Sequence, residues 1–349
     1  LISVAPKVSD RTTPGIVAPG AGLAILVNAQ AKRGGRRVAA QIARVLPGAS
    51  VRVTKSPAEV DAWLAGLHAV RGILAAGGDG TAIALVNAFA RVMPGRTPWP
   101  PMGVLPLGTG NGWAHALGTP KLHRCLELLA NTADPLPVRE MGLVEVEGTL
   151  AHFAGSGWDA MILDDYKRQL RATKGPGRRL SKTVYGYMLA ALLRTAPKVL
   201  WFGSPRLIVE NLGDEVYGLD RTGRPFRMSS ARRGTILYDG PAGAASAGTC
   251  PEYGYHFRAF PFAERMPGFI NVRVYSRGPF GAVASIPLLW RGAHPLPGMH
   301  DWLATGVRMT FSRPVPLQIG GDAFGLHRTV DYHAVPKSVR MIDWRRIAP

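Results

Sequence analysis

From residue 23 onward, short apolar runs alternate with amphipathic stretches. The runs at 23–27, 51–54, 72–76 and 102–107 read as strands, and the stretches at 36–46, 58–67 and 82–92 carry apolar residues at helical spacing. A βαβα succession predicts a parallel sheet with right-handed crossovers and a ligand site at the carboxyl ends of its strands. After Met141 the pattern changes to short β-like runs at 143–146, 207–210, 235–238, 257–260, 269–275, 307–311 and 339–342, punctuated by Pro and Gly. These predict an antiparallel sandwich, interrupted by helices over 160–170 and 183–193. The expected organisation is a flexible leader over 1–20, an α/β domain over 21–140 and a β-sandwich domain over 141–349, its last segment returning to the first domain. A hinge is expected at 135–141, where Pro135 and Pro137 interrupt the pattern.

Composition narrows the classes. The 349 residues carry a formal net charge of +19 and only two cysteines, Cys125 and Cys250, with no Cys/His companions at metal-ligand spacing. A disulfide scaffold, a zinc finger and an iron–sulfur cluster are thereby excluded, and a reducing cytoplasm suits the chain. The longest apolar stretch, 185–202, is broken by Arg194, Pro197 and Lys198, so no membrane span is expected. The basic excess is spread over both halves. Its densest run holds Lys167, Arg168, Arg171, Lys174, Arg178, Arg179 and Lys182. No nucleic-acid-binding signature accompanies it, which leaves an anionic membrane surface or a phosphorylated substrate as the partner of the charge. The nine histidines show no H-E-x-x-H spacing.

Two glycine loops carry the candidate chemistry. Gly77-Gly78-Asp79-Gly80-Thr81 leaves an apolar strand and enters a helix. Residues without a Cβ let backbone N–H groups approach phosphate, and a helix N-terminus favours an anion. Asp79 meets a phosphate only through a cation, so a magnesium-bound nucleotide is its natural partner; a plain Asp–Gly turn remains the alternative. Leu107-Gly108-Thr109-Gly110-Asn111 repeats the arrangement after the next strand. One helix and one strand separate the loops, so a right-handed crossover brings both to one sheet edge as a polar floor.

With these loops the chain resembles the diacylglycerol kinase catalytic superfamily, which includes bacterial lipid kinases and the sphingosine and ceramide kinases. Its G-G-D-G-T motif matches Gly77 to Thr81, and its P-L-G-T-G-N motif matches Pro106 to Asn111. Asn28 resembles the Asn of a first-strand N-P motif, and Thr54 a nucleotide-site Thr. Gly155-Ser156-Gly157-Trp158-Asp159-Ala160 resembles a G-x-G-x-D-A segment, and Gly320-Gly321-Asp322 falls where the family has D-G-E.

The resemblance implies a Rossmann-like α/β nucleotide domain followed by an antiparallel β-sandwich domain that binds lipid. ATP with Mg2+ would be the cofactor and a lipid hydroxyl the acceptor, in a cytoplasmic enzyme peripherally bound to the inner face of the membrane. Asn28, Thr54, Gly77, Gly78, Asp79, Gly80, Thr81, Gly108, Thr109, Gly110 and Asn111 would contact the nucleotide, with Asp79 on its magnesium. Asp322 would be the general base. Asp159 would either orient the acceptor or cap the helix that follows it.

Four positions depart from the family pattern. Ile83 and Ala84 replace N-E, Ala29 replaces Pro, and Gly320 replaces the Asp of D-G-E. Pro267-Gly268 stands where bacterial members have the D-G pair of a structural magnesium site, without its carboxylate. The alternatives are a soluble-substrate kinase of the NAD-kinase type, which also uses a G-G-D-G loop, and a non-catalytic protein that binds lipid or nucleotide.

Overall fold

A computed structural model describes residues 18–29, 35–68, 70–95, 98–108, 110–132, 135–173, 186, 189–195, 197, 201, 203–254 and 256–347. The first half alternates β1 (Leu23–Asn28), α1 (Gly35–Val45), β2 (Ser50–Thr54), α2 (Pro57–Ala65), β3 (Gly72–Gly77), α3 (Asp79–Val92) and β4 (Met102–Pro106), followed by the short α4 (Gly112–Ala116) and α5 (Leu122–Asn131). The strands pair in parallel in the order β2-β1-β3-β4. Their near-continuous apolar sequences follow from burial on both faces: all six residues of β3 are buried. Helix α2 shows how locally such elements are specified. Ser56 accepts a hydrogen bond from the Glu59 amide, and Pro57 occupies the first turn, where its missing N–H costs nothing.

The second half contains β5 (Val138–Val146), β6 (Thr149–Ala151), β7 (Phe153–Gly157), α6 (Trp158–Ala172), β8 (Arg206–Asn211), β9 (Val216–Leu219), β10 (Pro225–Arg227), β11 (Ile236–Pro241), β12 (Ala244–Gly248), β13 (Ile270–Tyr275), α7 (Pro279–Trp290), β14 (Met299–Ala304), β15 (Gly306–Ile319), β16 (Asp322–Ile342) and α8 (Trp344–Ile347). The long hairpin β15–β16 is its spine. β7 and β8 pair antiparallel with β15, and β5 pairs antiparallel with β16. The fold is therefore a parallel α/β layer followed by antiparallel β structure, as the residue pattern predicts.

Two hydrophobic cores result. One is centred on β1, β3 and β4, with Trp113 and Trp344 fully buried; the other lies between the antiparallel strands around Val209, Val272 and Tyr332. No break in the secondary structure after residue 137 marks the expected boundary at 135–141. Pro135 and Pro137 precede β5, and that strand passes unbroken from the first core at Met141 and Leu143 to the second at Val144 and Val146. The far end of β16 also returns to the first sheet, pairing in parallel with β4 at Met341 and Met102. Asn87 on α3 adds a cross-tie: its amide donates to Leu150 O and accepts from Leu150 N, at 2.8 and 2.9 Å.

Two local expectations are corrected. The run 257–260 is a turn rather than a strand: Phe260 packs with Phe153 in an aromatic cluster, and only a bridge between Gly254 and Phe257 forms. Helix α3 begins at Asp79, so Gly80 and Thr81 belong to its first turn. Residues 183–185, 187 and 188 of the helix expected over 183–193, and Lys174, Arg178, Arg179 and Lys182 of the basic run, lie outside the described residues.

Candidate active site

Strand β3 ends at Gly77, and extended Gly78 caps α3. A Cβ at Gly77 would lie 2.1 Å from Thr81 Oγ1, so the turn closes only around glycine. The Thr81 hydroxyl accepts from Asn28 Nδ2 at 3.1 Å. Asn28 ends β1 in register with the buried Thr54 at the end of β2. The parallel sheet thus gathers Asn28, Thr54 and the Gly77–Thr81 turn at the carboxyl ends of three adjacent strands.

The second loop lies directly on the first. The amides of Leu107 and Gly108 both donate to Gly77 O, at 2.9 and 3.2 Å. A Cβ at Gly108 would stand 2.5 Å from Gly78 Cα, backbone against backbone. Gly110 is less confined: its nearest neighbours would be Asp79 Oδ2 at 3.6 Å and Gly254 Cα at 3.8 Å. Asn111 adopts the left-handed conformation at φ 51°, and its Nδ2 donates to Gly108 O. Asp79 links the loops, its two carboxylate oxygens accepting from the amides of Gly112 at 2.8 Å and Trp113 at 3.1 Å. A carboxylate is the favoured acceptor at a helix start, so Asp79 sets where α4 begins. Behind α4, Trp113 stacks at 4.7 Å on His152, whose burial lowers its pKa to about 4 and keeps the ring neutral near pH 7. Thr109 lies outside the described residues.

A third glycine bend comes from the other half of the chain. Gly320 and Gly321, at φ 55° and 88°, turn the β15–β16 hairpin in a conformation that L side chains avoid. A Cβ at Gly320 would lie 2.0 Å from Ile83 Cδ1, so two of the departures from the family pattern meet in space. Asp322 is exposed, and a Cβ on Gly80 would be 3.7 Å from its Oδ2, which puts the third bend over the first loop. Lys167 on α6 donates to Asp322 Oδ1 at 2.8 Å and to Gly321 O at 2.9 Å. The Gly321 amide donates to Gln318 Oε1 at 3.0 Å.

Gln318 connects this bend to Asp159. Its Nε2 donates to Asp159 Oδ2 at 3.0 Å, and Tyr253 OH donates to the same oxygen at 3.1 Å. Asp159 Oδ1 accepts from the Ala160 amide at 2.7 Å. A Cβ at Gly155 would fall 2.2 Å from Asp159 Oδ2, so that glycine makes room for the carboxyl. Burial raises the Asp159 pKa to about 7, against the opposing pull of its three hydrogen-bond donors. The cap of α6 is Gly157, so Asp159 sits in the first turn and spends its second oxygen on side chains rather than on the helix.

The geometry therefore brings together Asn28, Thr54, Gly77 to Thr81, Gly108, Gly110, Asn111 and Asp322, and ties Asp159 to them through Gln318. Residues 22–139 match the family described as the diacylglycerol kinase catalytic domain. That region is similar to diacylglycerol kinase catalytic domains. A segment of 46 residues is 50% identical to the eye-specific diacylglycerol kinase of Drosophila melanogaster, covering 13% of this chain and 3% of the fly protein's length. A diacylglycerol kinase from Bacillus anthracis str. Sterne has a similar fold, with a TM-score of 0.57 and 14% identity over 92% of this chain and 96% of that one. A second protein of that strain, assigned as a diacylglycerol kinase, aligns at 0.62 and 15% identity over 92% and 97%.

Three members of the network escape a sequence reading. Lys167 is one of seven cations in a basic run, and Tyr253 follows no motif. Gln318 leaves a trace, as the one polar residue in the buried run 315–319. Two cavities of about 400 and 310 Å³, lined by Asp331 and His333 among others, share no residue with the three bends.

Proposed function

We propose that this protein is an ATP-dependent lipid kinase. The observation that carries the reading is the convergence of three glycine bends from separate parts of the chain, with Gly78 against Gly108 and Asp322 over Gly80. Glycine backbones at a helix N-terminus fit phosphate groups, because a Cβ at Gly77 or Gly108 would fill the space that keeps the loops closed. Bound ATP supplies the transferred phosphoryl group, with its Mg2+ offsetting phosphate charge. Asn28, Thr54 and the first two bends hold the nucleotide. Asp79 fixes one loop against the other, and the lone pairs that its oxygens keep beyond the two amide bonds would hold the nucleotide's Mg2+. Lys167 neutralises charge at the third bend. Asp322 takes the proton of the acceptor hydroxyl, and Asp159, with Tyr253 and Gln318, orients that hydroxyl.

Residues 21–140 form the nucleotide half and 141–349 the lipid half in this reading, with the end of β16 returning to the first sheet. Among the described residues no helix is long and apolar enough to cross a membrane. Peripheral contact with the cytoplasmic face is favoured by the net charge of +19 and by α7, whose Phe280, Val283 and Leu288 are exposed. The carbonyl of Trp290 at the end of α7 accepts from the Arg258 amide, near the segment that carries Tyr253.

Transfer of labelled phosphate from ATP to diacylglycerol, sphingoid bases, ceramide or monoacylglycerol in mixed vesicles tests the proposal. Transfer to NAD or another soluble acceptor alone would replace the lipid assignment. The Ile83–Gly320 contact, apolar where the family is polar, favours a second reading as a non-catalytic binder. Nucleotide binding without transfer to any acceptor would establish that reading instead.

A further inference from the structure

Next to the second loop, His115, Glu252 and His256 form a cluster that the phosphoryl-transfer reading does not use. His115 lies on α4. Glu252 and His256 lie on the segment between β12 and β13 that crosses it. One ligand-capable atom from each residue falls within 4.8 Å of the other two. His115 Nδ1 and His256 Nδ1 stand 3.6 and 3.5 Å from the same atom, Glu252 Oε2. The two imidazoles are stacked, with centroids 4.1 Å apart and planes within 9°, so the exposed His256 ring must turn out of the stack for both in-plane lone pairs to meet one ion.

These distances exceed those of well-formed hydrogen bonds, and two of the atoms are otherwise unused. His115 Nδ1 and Glu252 Oε2 are fully buried and have no hydrogen-bond partner among the described residues. A buried carboxylate oxygen without a donor is costly. A metal ion removes that cost. Two ligand bonds of about 2.1 Å at a tetrahedral angle separate their donor atoms by about 3.4 Å, close to the two spacings to Glu252, while the two histidine ligand atoms lie within 4.8 Å of each other. His256 is 72% exposed on its side chain, which leaves the fourth position open to water.

We propose that His115, Glu252 and His256 bind a divalent transition metal, with zinc the best fit to two imidazoles, one carboxylate and one solvent position. The ion would clamp α4 to the 252–256 segment. The backbones are already in contact there: a Cβ at Gly112 would lie 3.0 Å from Glu252 O and 3.1 Å from Gly254 N. Tyr253, the donor to Asp159, sits between two of the ligands, so the clamp would also fix that hydroxyl. The site is distinct from any magnesium carried by the nucleotide, because nitrogen donors suit transition metals rather than Mg2+.

The experiment uses the full chain, stripped by a chelator and free of nucleotide and lipid. Zn2+ is titrated in competition with a chromophoric chelator, and Co2+ is added separately as a spectroscopic probe. One zinc per chain with a Kd below about 1 μM is expected, together with the intense visible bands of four-coordinate Co2+. Glu252→Gln and His115→Ala should weaken binding at least 100-fold. His256→Ala should also weaken it, and because that side chain is exposed its fold is not at stake; unchanged metal-free circular dichroism checks this. Absence of stoichiometric zinc binding would overturn the proposal, as would zinc affinity that survives His256→Ala and Glu252→Gln. Binding is read without turnover, so either result leaves the kinase assignment untouched.

Discussion

The first two glycine bends and the third are built on different principles. Gly77–Thr81 and Gly108–Asn111 are held by their own backbones: Gly78 lies on Gly108, Gly77 O collects two amides, and Asp79 binds the amides of α4. The bend at Gly320–Asp322 is held by side chains from elsewhere, namely Lys167 on α6, Gln318 on β15 and the space left beside Ile83 on α3. The first arrangement leaves no room for a Cβ at Gly77 or Gly108 but needs few partners. In the second, a Cβ at Gly320 would clash with a side-chain end rather than with backbone, and the bend depends on several distant residues at once. Binding of nucleotide belongs to the rigid pair in the proposed mechanism, and handling of the acceptor hydroxyl to the adjustable bend.

Substitutions can separate these roles. Asp322→Asn should lower kcat for lipid phosphorylation by about 10²- to 10⁴-fold while ATP affinity stays within a few fold, as expected for a lost base. Loss of ATP affinity with kcat retained at saturating nucleotide would move Asp322 to the rigid side of the comparison. Gly108→Ala should weaken ATP binding by about 10²-fold and destabilise the fold by roughly 1–3 kcal/mol, since its Cβ meets backbone that cannot yield. Gly110→Ala, with only ordinary contacts to make, should cost far less. Calorimetry that ranks Gly110 as the more sensitive position would refute the close packing of the loops.

Smaller effects probe the third bend and its neighbour. Gly320→Ala should cost about 1–2 kcal/mol from its left-handed backbone and its collision with Ile83. Ile83→Val removes the colliding Cδ1, so the double variant should recover roughly 0.5–1.5 kcal/mol relative to additivity in a denaturation cycle. Strict additivity would deny the contact. Asp159 is read through pH. Its carboxyl titrates near 7 when folded and near 3.8 when unfolded, so the folded chain keeps a proton that the unfolded chain releases. Stability from this group is therefore greatest below about pH 4 and declines as pH rises to about 7. Asp159→Asn should be the more stable form at pH 8, by on the order of 1–3 kcal/mol, and show no such gain at pH 4. Parallel pH profiles for the two proteins would contradict the burial of that carboxyl.

The same contrast explains what could be read from the residues alone. Strands β1 to β4, the crossover helices and the two backbone-built loops are specified by local periodicity and by glycines with no room for a side chain. The motif therefore announces the structure. Helix α7 is missed because Pro279–Trp290 is apolar almost throughout and contains Pro287, leaving no polar face to reveal a helical period. The Phe257–Phe260 turn is misread because aromatic residues packing on one another resemble a strand core until the absence of a pairing partner is known. Asp322 is legible from its motif, but Lys167, Gln318 and Tyr253 come from three other elements, and no spacing within one element encodes their meeting. Asp79 shows a further limit: its sequence position marks it as important, yet only the fold reveals two amides occupying its oxygens.

Strand β16 touches both halves, with Asp322 at its start and Met341 paired with Met102 near its end. During synthesis, β4 emerges more than 200 residues before the strand that covers its open edge. Until that late segment arrives, a row of unpaired amides and carbonyls stays available to any passing strand, which invites misassociation. Closing so large a loop also makes the final pairing a slow, non-local step. The nascent chain would thus hold its glycine loops formed but its sheet unfinished, and acquire the third bend and the sealed edge in a single event.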